Sequence, residues 1–244
     1  MEIVLEIINV IGIISFAAAG AMVSIDKQTD LFGVITLSLA TCFCGGMIRD
    51  MIAGDLIGRE LPAVFTDMKM EIIVCILTAI VVFFLAMIFK EKYVKEEATV
   101  EKINNILDAL GIGVFTVAGT SAYLSLGFFI SMFMGLLSSI GGSVTRDVIL
   151  GTIPVVLRKR IYAIACMAGS AVYYVIVTYL MKGMPTADII GTISCIAVIF
   201  VIRMLATYFR WNMPVAIDFR KIKSSTTPVR LKSKEESIDV FGTV

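Results

Sequence analysis

Two short segments hold the residues best suited to chemistry. One runs Cys-Gly-Gly-Met-Ile-Arg-Asp, from Cys44 to Asp50, and the other runs Gly-Gly-Ser-Val-Thr-Arg-Asp, from Gly141 to Asp147. Each lies in or beside an apolar stretch. Paired glycines in a membrane helix have two readings. They let helix backbones pack closely, or they break the helix and leave carbonyls without an intrahelical donor. Such carbonyls are tolerable only beside protein or a water-filled cavity, where they coordinate cations. Because Gly45-Gly46 and Gly141-Gly142 are each followed by Arg-Asp, the expectation here is a break lining a polar path.

The charged residues sharpen that expectation. Arg49 lies about four residues past its glycines, roughly 6 Å along a helix axis. Arg49-Asp50 and Arg146-Asp147 are adjacent pairs whose side chains leave a helix about 100° apart, so neither neutralises the other well. Each is expected to need water or another partner. The alternative is that both pairs cap helix ends at the interface. Asp108 is the best embedded carboxylate, about one turn into the fourth span from its end near Asn104, and is expected to lie near Arg146. Its counterpart in the first half is Asn9, leaving Arg49 to water, Asp147 and Asp50. Alternatively, Asp108 complements the N-terminal dipole of its own helix.

Other chemistries have little support. Histidine is absent, which removes the commonest general base and metal ligand. The five cysteines (Cys42, Cys44, Cys75, Cys166, Cys195) sit in apolar runs with no Cys-x-x-Cys spacing, so they read as small core residues. No enzyme chemistry, cofactor or resident metal is expected beyond a transient monovalent cation. A net charge of +1 recruits no nucleic acid.

The elements that must position these residues are membrane helices. Hydrophobic residues make up 58% of the 244 and charged residues 17%, with a mean hydropathy of +0.94. A soluble core could not hide that much apolar surface. One span needs about 20 apolar residues. Uncharged runs cover Ile7–Ile25, Leu31–Ile48, Ile72–Phe89 and Ile161–Met181. Ala109–Thr145 has room for two spans with a bend at Tyr123–Gly127, and a last run covers Ile189–Tyr208. Seven spans result. The first lacks a basic flank and is read as a retained helix rather than a signal peptide.

An internal repeat orders them. Gly12–Gly20 (GIISFAAAG) matches Gly111–Gly119 (GIGVFTVAG), upstream of the matched glycine segments. Residues 1–92 form a first three-helix repeat and 103–182 a second. Residues 186–209 form a seventh helix, and 210–244 a polar tail read as disordered. Duplicating three spans inverts the second copy. Of the 21 Lys and Arg, only Arg49, Arg59, Lys69 and Lys182 fall on the side of the N-terminus. The N-terminus is therefore expected outside and the C-terminus in the cytoplasm.

The duplicated glycine–Arg–Asp element, its trailing glycine (Gly54, Gly151) and proline (Pro62, Pro154), and the LDALGIGVFTVAG opening of the second repeat resemble the prokaryotic trimeric intracellular cation (TRIC) channels. That domain is also called the glycine transporter domain. The resemblance covers roughly residues 7–208. It implies an all-α seven-helix protomer in the prokaryotic plasma membrane, a homotrimer in lipid, and a pore for monovalent cations, chiefly potassium, through each protomer. It also implies helices kinked at Gly-Gly-Gly elements, carried over as Cys44-Gly45-Gly46 and Gly141-Gly142-Ser143. Cys44 and Ser143 each replace a glycine but keep the backbone carbonyl. A secondary transporter of a small amino acid such as glycine remains open beside the channel, and a membrane enzyme is a third, weaker class.

Overall fold

The computed structural model describes residues 2–158 and 161–209; the polar tail expected over 210–244 lies outside them. The described residues are helical and contain no strand. That follows from the apolar runs, because in lipid each backbone amide must find its partner within its own segment. Seven helices are long and apolar enough to cross a membrane. They are α1 (Glu2–Asp26), α2 (Leu31–Ala53), α4 (Lys69–Ile88), α6 (Glu97–Ala122), α7 (Phe128–Ile149), α9 (Ile161–Val175) and α10 (Ala187–Tyr208). A π-helical turn, Ile176–Leu180, extends α9. Three short helices join them, α3 (Ala63–Thr66), α5 (Lys90–Lys95) and α8 (Val155–Arg158). Hydropathy alone gives no sign of these.

The joints have local causes. Asp30 caps α2 by accepting the Gly33 amide at 2.7 Å, as a helix N-cap should. The long apolar run does bend at Tyr123–Gly127. Gly127 takes a φ of +94° there, which a side chain would oppose. The Ser131 hydroxyl fixes the bend by donating to the carbonyls of Tyr123 and Gly127 at 2.7 and 2.8 Å.

Packing pairs the two halves. α1, α2 and α4 pack on one another, as do α6, α7 and α9. Between the halves, α1 lies on α6 and α2 on α7, while α10 covers α6 and α9. Phe16 and Phe115 occupy the same position in the two copies of the repeat. Their rings stack face to face with centroids 5.0 Å apart. Equivalent residues that touch each other mark a local two-fold relation. By contrast, α4 buries only Cys75 and Ala79. Ile73, Leu77, Val81 and Met87 of that helix are exposed, as a lipid-facing helix requires.

Candidate functional site

The glycine segments lie where α2 crosses α7. A Cβ on Gly45 would strike the Ser138 carbonyl oxygen, and one on Gly142 would strike the Thr41 carbonyl oxygen. These are mirrored contacts, because 41 and 138 are equivalent positions in the repeat just as 45 and 142 are. A Cβ on Gly141 would come within 2.8 Å of the Gly45 Cα. The expected break is therefore corrected. Both α2 and α7 run α-helical through their glycines, and the Gly141 carbonyl accepts the Thr145 hydroxyl at 2.8 Å. Three of the four paired glycines serve close backbone approach.

Gly46 differs. The nearest atom to a Cβ there is an Arg49 guanidinium nitrogen at 3.9 Å. Gly46 lines a cavity of about 290 Å³ with Asn9, Arg49, Asp50, Asp67 and Glu71. Neither Cys44 nor Ser143 is among the residues lining it, and Ser143 is buried. The Ser143 hydroxyl donates to the Ile140 carbonyl at 2.9 Å and faces the Tyr162 hydroxyl at 3.4 Å.

The Arg-Asp pairs also differ from expectation. Arg49 Nε donates to Asp50 Oδ1 at 2.8 Å, with a second guanidinium nitrogen 2.6 Å from the same oxygen. Arg146 grips Asp147 Oδ1 in the same way, at 3.0 and 2.8 Å. The 100° separation at the backbone is overcome because the long arginine stem curls back around its own helix to reach the short aspartate. Arg49 donates further to Ser138 at 3.2 Å, and its guanidinium lies 5.9 Å from the Tyr123 ring centre.

The second oxygen of each aspartate has a matched task. Asp50 Oδ2 accepts the Ala63 amide at 3.0 Å, and Asp147 Oδ2 accepts the Val155 amide at 2.9 Å. Each amide opens the short helix that follows Pro62 or Pro154. The trailing proline of the repeat thus presents the next amide to a buried carboxylate. Arg59 adds a third contact to Asp50 at 3.3 Å.

Asp108 is not paired with Arg146. Its Oδ2 lies 2.8 Å from Arg203 of α10, and its Oδ1 accepts the Tyr162 hydroxyl at 3.1 Å. Arg203 also sits 4.1 Å above the Tyr162 ring, a cation–π contact. Arg146 is instead taken up by its own neighbour, Asp147. The sequence held a signal for the true partner. Arg203 interrupts an apolar span, and a charge there demands an opposite charge at its depth. Asn9, the counterpart of Asp108, shares the cavity with Arg49. Among the described residues no cluster of acidic or cysteine side chains could hold a metal ion.

A sequence profile for a family described as glycine transporter matches residues 6–87 and 105–178. The chain belongs to this family, the TRIC family. It is 28% identical to the UPF0126 inner membrane protein YadS of Escherichia coli (strain K12), over 84% of this chain and 92% of YadS. The fold is that of solved TRIC proteins. A prokaryotic TRIC channel crystallised in 0.5 M KCl is similar at 28% identity with a TM-score of 0.71, covering 87% of this chain and all of that one. The TRIC trimeric intracellular cation channel orthologue from Rhodobacter sphaeroides is similar at 26% identity with a TM-score of 0.70, over 85% and 99% of the two chains. The all-α, seven-helix expectation and the TRIC resemblance both hold. Like its relatives in this family, the chain is a multi-pass membrane protein.

Proposed function

We propose that this TRIC protein conducts monovalent cations, chiefly potassium, with one path through each protomer of a homotrimer. The observation that carries the reading is a cavity with charged walls that reaches from the end of the apolar helix bundle to Gly46. Its walls hold Asp50, Asp67 and Glu71 against Arg49 and Arg59, an excess of one negative charge. Gly46 leaves room beside Arg49. Asp50 neutralises the guanidinium that would otherwise repel a cation. The likeness to solved cation channels supports the same reading.

The path runs along the crossing of α2 and α7, with residues 1–92 and 103–182 as two inverted repeats around it. Gly45, Gly141 and Gly142 set the closeness of that crossing, and Cys44 and Ser143 flank it. Arg146-Asp147 repeats the Arg49-Asp50 arrangement toward the other face. The charge distribution supports an N-terminus outside and a C-terminus in the cytoplasm, and the likeness to an inner membrane protein of Escherichia coli supports the plasma membrane.

The family's description keeps a glycine carrier as the second reading. A carrier needs a free carboxylate and a free cation to clamp a zwitterion, and here Arg49 and Asp50 already satisfy each other. Liposomes loaded with potassium chloride and containing purified protein test both. The channel reading expects rapid valinomycin-independent potassium release and no counterflow of labelled glycine. Saturable glycine counterflow without potassium release would replace it.

A further inference from the structure

A second cavity, of about 640 Å³, opens at the end of the bundle where α1 finishes and α5 joins α4 to α6. It has no part in the path described above. One wall is apolar, with Ile25, Phe83, Met87, Val94 and Val100. Its polar lining comes from Asp26, Glu97 and Glu101, with Lys90 the one cation among its lining residues. The Tyr93 hydroxyl donates to Asp26 at 3.1 Å and so ties α5 to the end of α1. Burial, and then the Asp26 charge, push the Tyr93 phenol well above its ordinary pKa, so it stays a donor. Asn104 also lines the cavity, and its buried side-chain oxygen has no hydrogen-bond partner.

These features select a ligand chemistry. The polar lining is rich in acceptors, the Asp26 and Glu97 carboxylates and the Asn104 oxygen, so it calls for a cationic group with several N–H donors. The acids do not converge on one point as metal ligands would. A bare ion would leave the apolar wall unused. Lys90 supplies a place for one anionic group beside the ammonium. The volume is within the range of about 300–1,000 Å³ usual for ligand pockets, and it lies at the end of the lipid-facing helix α4.

We propose that this cavity binds the zwitterionic headgroup of an aminophospholipid. The primary ammonium meets Asp26, Glu97 and the Asn104 oxygen, the phosphate meets Lys90, and an acyl chain covers Phe83 and Met87. The proposal needs membrane embedding only and is independent of cation conduction. It excludes anionic lipid as the preferred occupant, because the acidic wall repels it.

Native mass spectrometry of the full-length protein tests this, with phosphatidylethanolamine, phosphatidylcholine and phosphatidylglycerol of identical acyl chains titrated separately. Phosphatidylethanolamine is expected to bind at least tenfold more tightly than either of the others, since phosphatidylcholine lacks N–H donors and phosphatidylglycerol lacks the cation. The double variant Asp26→Asn, Glu97→Gln should abolish that preference. These exposed positions tolerate neutral amides, and a melting temperature within a few degrees of the parent confirms folding. The single variant Glu97→Gln, carrying a smaller change, should narrow the preference severalfold. Dodecylamine should compete and dodecyl phosphate should not. Equal binding of the three lipids, a preference for phosphatidylglycerol, or an unchanged preference in the folded variants would overturn the proposal.

Discussion

Asp108 and Arg203 form a buried ion pair at 2.8 Å although they are 95 residues apart in sequence. The pair joins α6 to α10, and Tyr162 of α9 completes it through a hydrogen bond and the face of its ring. The helix outside the repeat is thereby tied to the second repeat by its one internal charge. Removing one member of such a pair leaves an uncompensated buried charge, at a cost of about 3–5 kcal/mol.

Asp108→Asn and Arg203→Gln should therefore each lower the melting temperature in detergent markedly. Asp108→Arg should be worse, and adding Arg203→Asp should recover part of the loss. Adding Arg146→Asp instead should recover none, because Arg146 is held by Asp147. Fluorescence-detected size-exclusion after heating reads all five. Rescue by the position 146 change and not by the position 203 change would contradict the pairing.

The glycines separate into two kinds that substitution distinguishes. Gly45→Ala and Gly142→Ala place a methyl against a carbonyl oxygen of the opposite helix and should push α2 and α7 apart. Both variants should lose thermal stability and fold poorly. Gly46→Ala meets only open space near Arg49 and should fold as the parent does, with reduced unitary conductance. Loss of folding at position 46 with tolerance at 45 and 142 would reverse the assignment.

Much of this architecture is legible in the sequence, and the parts that are not have physical reasons. Apolar run length gives the seven spans, and the bend at Gly127 falls where the longest run exceeds one span. The repeated Arg-Asp marks both buried pairs. Hydropathy is silent on α3 and α8, because four-residue helices leave no periodic signal. The aspartates that cap them act across 13 and 8 residues of sequence. The glycine segments mislead for a different reason. A helix weakened by glycine and a helix closely packed through glycine share one sequence, and only the opposing carbonyls of Ser138 and Thr41 separate them. Arginine reach misleads too, since angular position at the backbone does not limit a stem that long.

Asp50 is expected to set charge selectivity. Asp50→Asn leaves Arg49 with Ser138 as its neutral partner and removes the net negative charge of the cavity wall. The ratio of potassium to chloride permeability, read from the reversal potential in a salt gradient, should fall severalfold. Adding Arg49→Gln should restore much of it, since the repelling charge is then gone. A ratio unchanged in folded Asp50→Asn would show that ions do not pass this pair.

Orientation can be read by labelling. In a background with the five cysteines replaced, a cysteine at position 69 should react with an impermeant maleimide added outside intact cells. One at position 95 should react only after the membrane is opened. The opposite pattern would invert the topology drawn from the lysine and arginine distribution.

Planar-bilayer recording of the purified protein tests cation conduction directly. A potassium path through each protomer should give discrete unitary currents whose reversal potential in asymmetric potassium chloride lies close to the potassium equilibrium potential, with smaller currents from Gly46→Ala. A folded, membrane-inserted protein that gives no unitary current across the voltage range, or currents reversing at the chloride potential, would contradict it.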